Sequence, residues 1–322
     1  GGDTIAFSGN TGGSTAPHLH FEVRRTSDQH ALDPQAFGMH PADDVPPEFI
    51  GLRIDPLDSL SSAAPYPTGT TGYIVTALND STYALKPGSL PAAYGTVGLS
   101  ANVIDRYSGS RNTCGIRRIS VSVDGAPVYS AHLDEVDFGT QRYANAYMDY
   151  GLFEDKGMHY NRCYKLHNNR LAVYGPEAAQ GRISVEPGKD HAVQVVAIDA
   201  AGNKATLTFV LHGSTAQVAE AWHKEPLHGD FFRYAKPNVL VENGLRLSLP
   251  PNALYEDTRI EYKVLPAPAR AFAPLHQVEN DRTPLQLAGE LTIDLSKKIP
   301  DDLSSKLLVV RMERGRPSPA GG

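Results

Sequence analysis

Apolar and polar residues alternate in short runs along most of the chain, and this alternation predicts strands rather than long helices. Residues 97–104 and 116–123 are bounded by Gly, Asn and Asp, which is typical of strands joined by tight turns. Within residues 193–211, two alternating runs flank a turn at 199–203 and predict a hairpin. We therefore expect an all-β fold.

Changes of composition divide the first part of the chain. Residues 1–40 combine short strand-like runs with a Gly/Ser/Thr/Asn-rich loop. Residues 41–67 are rich in Pro, Asp and Ser and predict a linker, because proline disfavours long helices and central strands. Within this linker, residues 49–54 are the candidate for a first docked strand.

The remaining chain predicts two further β-rich domains. We expect residues 68–213 to form a β-sandwich, because the turn at 199–203 resembles the closing hairpin of bacterial immunoglobulin-like domains. A helix-prone bridge at 217–222 lies within the next predicted unit, a second, smaller β-rich domain at 214–313. Residues 314–322 contain Arg, Pro and Gly without periodicity and predict a disordered tail.

Composition and charge exclude several classes of protein. The 322 residues are 41% hydrophobic and 20% charged, which is ordinary for a folded protein. The formal net charge of −6 is accompanied by no basic stripe, so nucleic acid is not an expected partner. The longest apolar runs are far shorter than the ~18–20 residues of a membrane-spanning helix, so we expect no membrane-spanning segment.

The histidines near the N-terminus form the candidate chemical site. In a strand at residues 18–24, His18, His20 and Glu22 share one face, while Leu19 and Phe21 lie on the other and predict a hydrophobic floor. Neutral imidazole is a preferred zinc ligand, and a rigid strand holds two of them with little loss of side-chain entropy. An H-x-H pair alone is weak evidence for a metal site, because such pairs also occur on solvated strands.

The wider string G-x-T-G-x-S-T-x-P-H-L-H-F-E-V at residues 9–23 resembles the C-terminal signature of the LytM/lysostaphin family of zinc peptidoglycan endopeptidases. Residues 31–37, with their Asp-Pro pair, resemble the closing segment of the same family. Ala16 departs from the pattern, because the family usually has Gly there. The resemblance covers residues 3–37 and implies a truncated antiparallel sheet of a LytM-type peptidase domain.

The resemblance implies a role for each motif residue. His20 corresponds to a zinc ligand, and His18 corresponds to a histidine that assists the metal-bound water and the developing oxyanion. Glu22 has two open interpretations, a carboxylate that orients an imidazole or a surface residue at a strand end. The family's other two ligands come from an upstream H-x-x-x-D motif that these residues lack, so we expect the isolated chain to be inactive and Gly1 to begin an incomplete reading frame. Residues 40–44 match H-x-x-x-D by letters but follow the H-x-H pair and lie in the linker.

The implied function is a zinc metalloendopeptidase that cleaves the peptide cross-links of bacterial peptidoglycan in the cell envelope, with β domains that contact cell-wall glycan. The alternatives are a non-catalytic LytM-like regulator and a cell-surface binding or adhesion module. For Cys114 and Cys163, a disulfide and two separate thiols are equally open. Tyrosines at 143–164 predict either a packed insertion or an aromatic platform for glycan.

Overall fold

The chain forms two compact units, residues 1–226 and 227–322. The computed structural model describes residues 3–4, 7–10, 16–39, 41–64, 72–216, 218, 229–268, 271–278, 283–313 and 316–321. The expected all-β class is confirmed, because strands make up most of the regular structure in both units. The predicted helical bridge at 217–222 falls almost entirely outside the described residues.

Strands of the first unit form one small sheet and one large, folded sheet. They are β1 (Val23–Arg24), β2 (Ala31–Leu32), β3 (Glu48–Pro56), β4 (Ser62–Ala63), β5 (Tyr73–Ala77), β6 (Thr82–Leu85), β7 (Ala92–Ile104), β8 (Arg118–Val123), β9 (Ala126–His132), β10 (Glu135–Val136), β11 (Tyr160–Arg162), β12 (Ile183–Val185), β13 (Asp190–Ile198) and β14 (Lys204–Gly213). The helices are α1 (Ala144–Tyr147), α2 (Tyr150–Lys156) and two 3₁₀ turns (Pro34–Phe37, Gln141–Tyr143).

The large sheet turns back on itself where strands change partners. In β7, Ala93 pairs with β4 and β14, whereas the residues beyond Gly95 pair with β3, β11 and β12. Gly95 has φ +79°, a left-handed conformation that glycine adopts without steric cost. The strands of this sheet bury alternate residues. In β13, for example, Val193 and Val195 are 2% and 0% exposed. A sheet that encloses its own apolar face in this way provides the core of the unit.

The Pro-rich segment contributes a central strand, which the sequence interpretation as a linker did not predict. The docked strand expected at 49–54 extends over β3 and lies between β5 and β7. Pro46 and Pro47 precede the strand and Pro56 ends it, so no proline interrupts its interior ladder. Leu52 of this strand is completely buried.

The hairpin predicted at 193–211 is confirmed as β13 and β14, joined at 199–203. Both cysteines are free thiols, and Cys163 is buried, so of the two open interpretations the structure has two separate thiols. Of the tyrosines at 143–164, most are buried, which favours the packed insertion; these are Tyr143, Tyr147, Tyr160 and Tyr164.

The second unit is a smaller β domain. Its strands are β15 (Asp230–Phe232), β16 (Asn238–Glu242), β17 (Leu245–Leu249), β18 (Thr258–Ile260), β19 (Tyr262–Leu265), β20 (Leu275–Val278), β21 (Glu290–Ile293), β22 (Val309–Glu313) and β23 (Arg316–Gly321), with a 3₁₀ turn at Asp301–Lys306. Phe232, Leu240, Leu245 and Leu254 belong to its buried core.

The predicted disordered tail is wrong for residues 316–321, which form β23 against β22. Pro317 and Pro319 lie two residues apart, so their backbone nitrogens, which carry no N–H, point to the same side of the strand. An edge strand tolerates such residues because one of its sides needs no hydrogen-bond donors.

Candidate functional site

The motif segment, residues 16–37, is extended but only partly sheet. The predicted strand at 18–24 is reduced to β1, and His18 forms one isolated bridge in which its N–H donates to the Gly9 carbonyl (3.3 Å). A strand needs neighbouring backbone to complete its ladder, and β2 supplies only two residues of it. Residues 11–15 of the resembling string, and His40 of the second H-x-x-x-D string, lie outside the described residues.

The structure brings His20 and Glu22 together. The His20 Nε2–H donates to Glu22 Oε1 at 2.5 Å, and Glu22 Oε2 accepts from Arg24 Nε at 2.6 Å. Arg24 and, next, His20 lower the pKa of Glu22, so its carboxylate is held in the charged form that accepts both bonds. The contact has the geometry expected of a carboxylate that orients an imidazole, and because it engages Nε2, Nδ1 is the ring nitrogen left for a metal.

His18 lies near His20 in sequence but has different contacts. Its Nδ1–H donates to the Ala16 carbonyl at 3.0 Å, within the turn that leads into the motif. Both imidazoles are exposed, and the His20 side chain retains 68% of its accessible surface. The site is therefore open to a ligand from solvent.

The predicted hydrophobic floor is not buried. Leu19 is 69% exposed and Phe21 59% exposed, and only Val23 is partly covered. The expectation was wrong for this chain because no described element packs against that face.

The donor set fits zinc in kind but not in number. Zinc in a protease needs three protein ligands, and His20 supplies one imidazole. Among the described residues, the one group of three ligand-bearing side chains within 4.8 Å is Asp43, Asp105 and Asp199, which includes neither histidine. The residues present do not complete a zinc site at His20.

The motif segment is held in the small sheet, in which β2 pairs with β1 and with β10, the strand that follows β9 of the large sheet. Glu135 of β10 accepts from Arg25 (2.5 Å and 3.0 Å) and from His30. The Arg24 guanidinium lies 4.7 Å from the centre of the Phe138 ring. The hydrogen bond to Glu135 raises the pKa of His30, which favours the charged imidazolium at this contact.

The segment ends in a capped turn that the Asp-Pro pair explains. Asp33 Oδ1 accepts from the Gln35 N–H at 2.9 Å, and Pro34 occupies the first helical position, where its missing N–H costs nothing. Gly38, with φ +78°, closes the 3₁₀ turn. Nearby, Gln35 donates to the Tyr107 hydroxyl at 2.9 Å, a second link between the motif segment and the large sheet.

Comparison with known proteins finds a similarity in the C-terminal unit. A family model described as a Zu5-like domain matches residues 229–322. This match includes β22 and β23. No curated protein and no solved structure matches the chain. Helices α1 and α2 are very short, and no helix in the described ranges has the length and apolar character of a membrane span.

The acidic residues Asp43, Asp105 and Asp199 were missed by sequence reasoning. Asp199 was recognised only as part of a turn, and Asp43 only as part of a linker. Asp105 directly follows β7 and Asp199 directly follows β13, so a search for acids at strand ends would have found two of the three.

Proposed function

We propose that the motif segment is the part of a zinc peptidoglycan endopeptidase that carries His20 as a metal ligand and His18 as a proton-transfer residue. No group of described residues completes the ligand set at His20. The observation that carries this proposal is the His20–Glu22 hydrogen bond within the LytM-like string. Ligating histidines generally donate their second ring N–H to a carboxylate or carbonyl, which fixes the ring and raises its basicity.

The surroundings of Glu22 support its orienting role. Arg24 donates to one carboxylate oxygen of Glu22, and its guanidinium also contacts the Phe138 ring. Phe138, which follows β10, therefore helps to position Arg24 and, through it, Glu22. His18 is exposed and two residues from His20, where it is placed to give a proton to the leaving amine of a bound peptide. The β units then hold this segment at the cell wall of the bacterial envelope, where the substrate is the cross-linking peptide.

Digestion of purified peptidoglycan by the gene product that contains this chain tests the proposal. Release of new amino termini should be lost in His20→Ala and retained in His132→Ala, a control that changes an exposed histidine of β9. Equal loss in both variants, or full activity in both, would contradict the assignment.

A second candidate is a non-catalytic LytM-like regulator or cell-surface binding module. It is favoured by the incomplete ligand set at His20 among the described residues. Sedimentation of the chain with purified peptidoglycan separates the two. Binding that survives His20→Ala, with no peptide release from any form of the protein, would favour the binding module.

A further inference from the structure

Three aspartates meet at one end of the large sheet, and we define them as the acidic cluster: Asp43, Asp105 and Asp199. One carboxylate oxygen of each lies within 4.8 Å of the others. The antiparallel pairing of β3 with β7 brings the approach to β3, which carries Asp43, beside the end of β7, which carries Asp105. Asp105 is 3% exposed and Asp199 is 1% exposed.

Four of the six carboxylate oxygens have donors. Asp43 Oδ1 accepts from the N–H groups of Val45 (3.1 Å) and Ser108 (3.2 Å) and from the Ser108 hydroxyl (3.4 Å). Both oxygens of Asp199 accept from the turn that follows it, at 2.6–2.8 Å. Asp105 Oδ2 accepts from the Cys114 thiol at 3.3 Å.

The other two oxygens have no such donor. Asp105 Oδ1 and Asp43 Oδ2 are fully buried atoms without a hydrogen-bond partner among the described residues. No lysine, arginine or histidine in the described ranges forms an ion pair with any member of the cluster; the described ion pairs involve other acids. A buried carboxylate oxygen that lacks both a donor and a counter-charge carries a large desolvation cost.

Either a proton or a cation can relieve that cost. One oxygen of each of the three carboxylates lies within 4.8 Å of the others, so their charges also repel one another. A proton would neutralise one of three carboxylates and leave the remaining two in repulsion. A divalent cation neutralises two charges and satisfies oxygens from all three residues together.

We propose that the acidic cluster is a binding site for a hard divalent cation, with calcium as the ion that its chemistry favours. The metal ligands that the three aspartates offer are carboxylate oxygens. Calcium takes six to eight oxygen ligands in flexible geometry, and backbone carbonyls and water complete its coordination. The Cys114 thiol donates to Asp105 Oδ2 at 3.3 Å, so in this arrangement it does not offer the thiolate that zinc would select.

The consequence is a link between segments that are distant in sequence. Asp43 follows the motif segment, whereas Asp105 and Asp199 end two strands of the large sheet. A bound cation ties the entry of β3 to β7 and β13 and so fixes the point where the motif segment joins the sheet. This inference stands on the acidic cluster alone and does not depend on peptidase activity.

Thermal unfolding of the full chain tests the site after treatment with chelator. Above the dissociation constant, each tenfold rise in free calcium should raise the unfolding temperature of the N-terminal unit by about 3–6 °C. Magnesium and zinc should give smaller shifts. No shift up to about 10 mM calcium, well above the ~10⁻⁴–10⁻³ M constants of extracellular calcium modules, would overturn the proposal.

Asp105→Asn provides the decisive variant. It removes one buried charge, so it should unfold at a higher temperature than the unchanged protein in chelator and lose the calcium response. Asp43→Asn should weaken the response as well, which keeps the test usable if the first variant folds poorly. Asp80→Asn, in an exposed turn, should leave it unchanged. If Asp105→Asn retains the full calcium shift, or if zinc stabilises more than calcium, the assignment fails.

Discussion

The motif segment and the large sheet of the same unit show opposite relations between pattern and burial. In the large sheet, apolar residues on alternating positions are enclosed, and Leu52 and Leu207 have no exposed surface. In the motif segment the same alternation leaves Leu19 and Phe21 more than half exposed. The chemistry of the motif is therefore present without the packing that would normally support it.

The LytM-like string and the stable core therefore lie in different parts of the same unit. The large sheet has its own core and draws its stability from buried area. The motif segment draws its position from a few polar contacts to β10, chiefly those of Glu135.

The largest expected effect separates the two regions by a matched pair of substitutions. Leu52→Ala removes a completely buried side chain from the central strand β3 and should lower the free energy of unfolding by ~2–5 kcal/mol. Leu19→Ala, in the motif segment, should change it by no more than ~0.5 kcal/mol. Urea unfolding of the full chain measures both. Similar effects from the two variants would break the comparison.

A smaller effect is expected from overpacking of the large sheet. A Cβ at Gly98 of β7 would lie 2.3 Å from Cδ1 of Tyr164, so Gly98→Ala forces a shift of the ring and should cost ~1–3 kcal/mol. Gly115→Ala is the matched control, because nothing lies within 4 Å of its Cβ position. The same urea titration gives the free energy of unfolding of both variants. A Gly98→Ala variant as stable as Gly115→Ala would show that the Tyr164 ring moves aside at no cost.

The smallest expected effect is a pH dependence of the attachment at Glu135. Contact with Glu135 raises the pKa of His30 in the folded protein. The stabilisation from this contact is therefore complete below the pKa of His30 in the unfolded chain, about 6.5, and is lost as the pH rises through the pKa of His30 in the folded protein. Glu135 stays ionised in this window, since Arg25 and then His30 lower its pKa. Amides of β2 should therefore exchange more slowly at pH 6 than at pH 8, after correction for intrinsic exchange.

The dependence should be weak, because the Arg25–Glu135 ion pair persists at both pH values. His30→Gln should abolish it, and His212→Gln, which changes a half-buried histidine of β14 that pairs with Asp190, should preserve it. Protection of β2 that increases toward pH 8 would contradict the sign of this account.

Much of the fold follows from local pattern. The hairpin of β13 and β14 was predictable because its alternation and its turn residues agree. The central position of β3 was not, because proline composition at 41–67 suggested a linker, and pairing with the distant β7 decides the outcome. Order at β23 was also missed, since it depends on pairing with β22 rather than on the Arg/Pro/Gly composition of the segment.

The candidate sites differ in the same way. Alternation placed His20 and Glu22 on one face, and they are in contact. The acidic cluster joins residues up to 156 positions apart through the folding of the sheet, so no local spacing could predict it.

The measurement that tests the central claim most directly is the zinc content and turnover of purified variants of the gene product that contains this chain. His20→Ala should lose most of its zinc and its activity. His18→Ala should retain zinc and fall in rate by ~10²–10⁴-fold, as for loss of a proton-transfer group. If His18→Ala loses zinc while His20→Ala keeps it, the two roles are reversed. If both variants keep zinc and activity, the motif segment is not the catalytic site.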